Sequence, residues 1–234
     1  MMNYDLFNDA GGIIRSPGLT LGNLMKEKRW LPAFLLILLV TALYANITLP
    51  LKIAEASRYP VMSDFPGEQL IDLQENISML QRILITSATF LKITLSFIIG
   101  AFMVYLFFGV GGSQGFYMHF FTLVVNASII DTLLPLIRDI FSIVFNTNLG
   151  RFSNLIILFP SLKPLSLKFW FILQVDLFYI WYLVAIAAGV AVFAKMSLKK
   201  CLFISFLYFL FTSAAAAFSS YLGAKIIASM TAGG

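Results

Sequence analysis

Cysteine and histidine are almost absent: the chain holds one of each, Cys201 and His119. A single cysteine permits neither an internal disulfide nor a thiolate metal cluster, and a lone histidine adds no zinc ligand set. Charge is scarce too. Only 12% of the 234 residues are Asp, Glu, Lys or Arg, about half the share in a typical soluble domain. No Walker loop or dinucleotide fingerprint occurs, so the sequence marks no energy-coupling site, and no cofactor or metal is expected. No convincing internal repeat is present. The first 29 residues lack the apolar core of a signal peptide, so the first membrane helix is expected to stay attached.

What the chain has in excess is apolar surface. Sixty per cent of its residues are hydrophobic, 24 of them Phe, and the mean hydropathy is +0.91. Too few polar side chains remain to cover a water-soluble globule. This composition excludes a soluble enzyme, a nucleic-acid-binding domain and a disordered chain, and it points to an integral membrane protein. The net charge of +5 reads as the basic flanks of membrane helices rather than as a nucleic-acid surface. Cys201 lies in an apolar run and reads as a small packing residue.

Crossing about 30 Å of hydrocarbon takes about 20 helical residues, and five runs are long enough. They cover about 31–49, 83–108, 116–134, 169–194 and 201–230. The first opens with Trp30 and Pro32 and closes at Pro50; the second ends at Gly109, Gly111 and Gly112; Pro135 kinks or ends the third. The expected fold is therefore all-α, a bundle of five transmembrane helices at 31–230 behind a lead-in at 1–30. In the lead-in Leu21, Leu24 and Met25, followed by Lys26, Glu27, Lys28 and Arg29, form a short amphipathic segment at the cytoplasmic face.

Orientation follows from the basic flanks. Arg15, Lys26, Lys28 and Arg29 precede the first span, and Lys195, Lys199 and Lys200 fill the turn before the fifth. Both clusters are cytoplasmic if the N-terminus is cytoplasmic and the C-terminus outside. The loop 51–81, with Glu55, Asp64, Glu68, Asp72 and Glu75, is then outside; so is 146–168, with Arg151, Lys163 and Lys168. After Pro66, Leu70, Leu73, Ile77, Leu80 and Leu84 recur at spacings of three and four. That helical stripe predicts an outer extension of the second span at about 66–82, offering a docking face; the alternative is a helix lying on the lipid. Leu155 to Phe159 is apolar but too short to span.

Ionisable residues inside spans carry the most information, because lipid burial is costly for an unpaired charge. Lys92, Asp131 and Asp176 fall in the outer half of the bilayer, and Asn46 and Lys225 lie toward the same side. Together they predict an intramembrane polar layer. The preferred reading is an internal ion pair of Lys92 with Asp131 or Asp176; the alternative is a polar cavity or ion path. Asn126, mid-span, reads as interhelical glue. Small residues crowd 185–191 and 213–224, as a tight hairpin of the last two spans requires. One catalytic pattern occurs. Gly111-Gly112-Ser113-Gln114-Gly115 fits G-x-S-x-G, with His119 nearby, but it joins two membrane helices where the pattern demands a strand-to-helix turn. No enzyme activity is expected.

Several features occur in a familiar order. Ile14-Arg15-Ser16-Pro17 leads to Trp30-Leu31-Pro32; a glycine-rich turn at 109–115 enters a span ending at Leu134-Pro135; Trp181-Tyr182-Leu183 precedes Lys195 to Lys200 and a last apolar helix. In this order the chain resembles the Yip family of Ypt/Rab-interacting membrane proteins, in its shorter prokaryotic form. The resemblance implies five spans, a cytoplasmic N-terminus and, in a prokaryote, residence in the cytoplasmic (inner) membrane. Eukaryotic relatives are linked to small GTPases and vesicle traffic, but the long N-terminal region expected to bind a GTPase is lacking. The leading expectation is a non-enzymatic scaffold or accessory subunit that binds other membrane proteins. The alternative is a small permease or export-system subunit, and a membrane hydrolase built on Ser113 is remote.

Overall fold

A computed structural model describes residues 6–56, 79–144, 153–159, 161–162 and 166–232. Among these the structure is all-α, with no strand and one isolated antiparallel bridge, Asn154 to Asp176. The helices are α1 (Leu6–Arg15), α2 (Pro17–Glu27), α3 (Leu31–Ala56), α4 (Met79–Val110), α5 (Tyr117–Ser128), α6 (Leu134–Val144), α7 (Leu167–Leu173), α8 (Leu177–Phe193) and α9 (Leu198–Ala232). A π-turn, Ile129–Leu133, joins α5 to α6, and Leu155–Leu158 form a short 3-10 turn.

Among the described residues four segments are long and apolar enough to cross a membrane: Leu31–Thr48, Arg82–Val110, Tyr117–Phe141 and Leu198–Ile226. The expected fourth span is broken. Asp176 takes a β conformation and its carboxylate accepts from the Phe178 amide at 2.9 Å, so it caps a new helix rather than continuing the old one. What remains is α7, 7 residues long, and α8, 17 residues long.

Pro50 does not close its helix, and Pro135, expected to kink or end the third span, does not end it. α3 runs through Pro50 to Ala56. Pro135 is the second residue of α6, directly after the π-turn, where the helical hydrogen-bond register has already slipped by one residue. Its missing N–H therefore interrupts a ladder already displaced, and the third span continues to Phe141.

The chain divides into two compact units. One is Leu38–Ser96, the facing parts of α3 and α4. Within it Asn46 donates to Thr86 Oγ1 and to the Ala42 carbonyl, both at 2.9 Å. Leu39, Leu43, Ile47, Leu80, Leu84 and Leu91 are exposed, as lipid-facing residues are.

The other unit is Met1–Ile37 with Phe97–Gly234. At its centre lies α2, packed on α8 and α5. Ser16 precedes Pro17, whose fixed φ suits a first helical residue. Leu21, Leu24 and Met25 are buried, as is Ile13 of α1. The lead-in's apolar face is thus turned into protein, not laid on a lipid surface. The close approach depends on glycine. A Cβ on Gly22 would stand 2.7 Å from Val192 Cγ1, and one on Gly189 would stand 2.9 Å from Leu21 Cβ and 2.8 Å from Leu123 Cδ1. A Cβ on Gly18, one turn before Gly22, would stand 3.3 Å from Ala188 Cβ, a tight but milder approach. The small residues of 185–191 therefore serve α2 as well as α9, whereas Ala214, Ala215 and Ser219 on α9 are exposed.

Candidate functional site

Polar side chains in the larger unit form three groups. The first joins the N-terminal hairpin to the bundle. Asn126 Nδ2 donates to the Arg29 carbonyl and to the Thr122 carbonyl, both at 2.8 Å. Arg29 pairs with Glu27 at 2.8 Å and lies 3.7 Å from Asp9 of α1. The next residue, Trp30, packs edge-on against Phe121 at 5.2 Å. Asn126 thus ties the turn between α2 and α3 to α5, where a bond to a neighbouring helix was expected.

The second group surrounds Asp131. It sits inside the π-turn, flanked by Ser128 and Thr132, and its Oδ1 is buried with no hydrogen-bond partner. The Tyr179, Tyr182 and Tyr208 phenols lie within electrostatic range of this carboxyl. Tyr179 and Tyr182 stack at 5.7 Å, and the Tyr179 hydroxyl meets Thr212 Oγ1 at 3.2 Å. A π-turn inside a helix recurs at functional sites, and this one carries a carboxyl within electrostatic range of three phenols.

The third group closes the break before α8. Arg138 pairs with Asp139 at 2.8 Å, bonds Ser153 Oγ and lies 3.7 Å from Asp176 Oδ2. Ser153 Oγ in turn donates to Asp176 Oδ2. Backbone bonds from Leu155 N to Val175 O and from Leu177 N to Ser153 O zip the 153–155 segment onto the break. With cap and ion pair both satisfied, Asp176 is a structural residue.

The predicted polar layer thus separates into parts with different surroundings. Asp176 has Arg138 as its cation. Lys225 is exposed, its Nζ 5.0 Å from the Tyr221 ring centre. Asn46 is bonded within α3 and to α4. Lys92 is exposed on α4 and enters no ion pair among the described residues. Of the predicted docking stripe, Leu70, Leu73 and Ile77 lie outside the described residues, as does most of the 66–82 extension, while Leu80 and Leu84 are exposed on α4.

The G-x-S-x-G segment forms the helix-to-helix turn after α4, with Gly112 at φ +86°. His119 Nδ1 accepts from the Phe116 amide at 3.0 Å, and its ring packs on Phe193 at 4.8 Å. That imidazole nitrogen is committed to capping α5.

Arg138, Ser153 and the three tyrosines were not foreseen from the sequence. Arg138 lies beyond Pro135, where the third span was expected to kink or end. The tyrosines carried a usable signal: Tyr179 and Tyr182 are three apart on one helix, Tyr208 and Thr212 four apart on the next. Comparison with known families, with curated proteins and with solved structures finds no match.

Proposed function

We propose that this is a non-enzymatic integral membrane protein that binds other membrane proteins, as a scaffold or accessory subunit, through the Lys92 face of α4. Lys92 is the observation that carries the reading. It lies ten residues past Arg82 in a 29-residue apolar segment, about 15 Å in from that end at about 1.5 Å per residue. A lysine at such a depth costs about 2.5–3.5 kcal/mol unless it meets a partner. A second membrane helix carrying an Asp or Glu at the same depth removes that cost. The order of features shared with the Yip family supports a five-span protein with a cytoplasmic N-terminus, in the cytoplasmic membrane of a prokaryote. In that topology α8 is the short span: its 17 residues rise about 26 Å, a shortfall the bilayer meets by thinning locally.

The test is affinity purification from native membranes. Lys92→Arg keeps the co-purifying protein and Lys92→Met loses it, and the protein lost carries a carboxylate inside an apolar span. Retention of every partner by Lys92→Met overturns the reading. A second reading, a small permease or export-system subunit, is favoured by Asp131 alone, whose Oδ1 is buried without a hydrogen-bond partner within electrostatic range of three phenols. Under it Asp131→Asn stays folded and abolishes flux in proteoliposomes, while partner capture is unchanged.

A further inference from the structure

An open groove of about 470 Å³ runs between the end of α4 and the start of α9, inside the larger unit. Phe107 and Val110 form one wall, Phe203 and Leu207 the other, and Gly111 and Lys200 close one end. Among the described residues Lys200 is its one charged lining residue. The two helices approach closely at that end: a Cβ on Gly111 would lie 2.3 Å from Ile204 Cδ1. Lys200 Nζ stands over the adjoining turn, 3.8 Å from where a Cβ of Gly112 would be.

Two observations identify what fits. The segments long enough to span a membrane, Arg82–Val110 and Leu198–Ile226, end and begin beside Gly111 and Lys200. The groove therefore starts at a membrane interface and runs into hydrocarbon, the path of one acyl chain. The charge at its mouth is also of one sign. Lys200 is exposed, Lys199 and Lys195 are its neighbours, and the sequence has no Asp or Glu from 77 to 130 or from 177 to 234. Neither wall therefore carries a carboxylate for Lys200.

We propose that this groove binds an anionic phospholipid, its acyl chain along Phe107 and Leu207 and its phosphate at Lys200. A hydrocarbon tail fills the apolar length, and a negative headgroup meets the ammonium in the interfacial layer where such contacts are strongest. Neither half alone satisfies the groove, which sets this lipid apart from a free phosphate or a neutral lipid.

The experiment is native mass spectrometry of the full chain in detergent, titrated with dioleoyl-phosphatidylglycerol or dioleoyl-phosphatidylcholine. The phosphatidylglycerol adduct is expected to predominate. Lys200→Gln lowers it about fivefold, the effect of losing one cation–headgroup contact. Lys199→Gln, outside the groove lining, leaves it unchanged. Leu207→Trp, which fills the groove and keeps every charge, lowers it as well, and glycerol phosphate in solution does not displace it. Equal binding of the two lipids overturns the proposal. So does an equal loss in Lys199→Gln and Lys200→Gln, which marks a diffuse basic surface, or displacement by glycerol phosphate, which marks an anion site without a lipid.

Discussion

Adding one methyl group at Gly189 tests whether the N-terminal hairpin is built into the bundle. The new Cβ would meet Leu21 Cβ at 2.9 Å and Leu123 Cδ1 at 2.8 Å. Leu123 can swing its terminal methyl aside. Leu21 cannot, because the atom in conflict is its own Cβ, and relief there requires α2 to move away from α8. Overpacking of this kind costs about 1–3 kcal/mol, while Ala in place of Gly within a helix returns about 0.8–1 kcal/mol. Gly189→Ala should therefore destabilise the larger unit by up to about 2 kcal/mol. Gly223 is the matched control: it lies in an apolar helix with nothing within 4 Å of an added Cβ. Gly223→Ala carries the propensity gain without the clash and should leave stability unchanged or slightly raised. Thermal melts in mild detergent, with protease accessibility of the 6–29 segment, read both. A melting temperature for Gly189→Ala at or above that of Gly223→Ala would refute the packing of α2 on α8.

Other expectations follow from single contacts. Asn126→Leu removes the bond to the Arg29 carbonyl and should cost about 0.6–1.7 kcal/mol in the same melt, the range for a hydrogen bond between membrane helices. Asp176→Ala removes the α8 cap and should cost about 1 kcal/mol; Asp176→Asn keeps an acceptor for the Phe178 amide and should be milder, and equal losses would mean that Arg138 rather than the cap decides. Ser113→Ala should leave partner capture intact, and covalent labelling of Ser113 by a fluorophosphonate would contradict a non-enzymatic role. With Cys201→Ser as background, single cysteines at 26 and 199 should label from the cytoplasm and cysteines at 72 and 163 from outside; labelling of 163 from the cytoplasm would overturn the proposed topology.

The sequence made the long apolar elements legible because lipid imposes one simple demand, about 20 apolar residues in a row. α4 and α9 accordingly begin and end within a few residues of the runs that foretold them. Pro50 and Pro135 misled because a proline costs one hydrogen bond, and a helix of 26 residues or one with a π-turn just before the ring absorbs that loss. Asp176 read as a charge inside a span, although Asp directly before an apolar run is also a helix-start signal. The lead-in was legible as an amphipathic segment, but an apolar stripe looks the same whichever surface it covers, so its packing on α8 and α5 was not. Gly18 and Gly22, four apart on that stripe, were the sign that protein lay against it. The isolated Asn126 was visible as a mid-span amide, but its partner was not: it bonds the Arg29 carbonyl in the turn between α2 and α3 rather than a neighbouring helix. Asp131 was visible as a charge, but the π-turn that holds it and the phenols within its electrostatic range come from elements far apart in the chain.

The claim that matters most is that Lys92 marks a docking face for another membrane protein. Ser96 lies one turn along the same face of α4 and is exposed. A photo-cross-linking residue at position 96, activated in native membranes, reads the neighbour of that face directly. The expected product is an adduct with one membrane protein, kept when Lys92 is replaced by Arg and lost when it is replaced by Met. Adducts with lipid alone, unchanged by Lys92→Met, would contradict it.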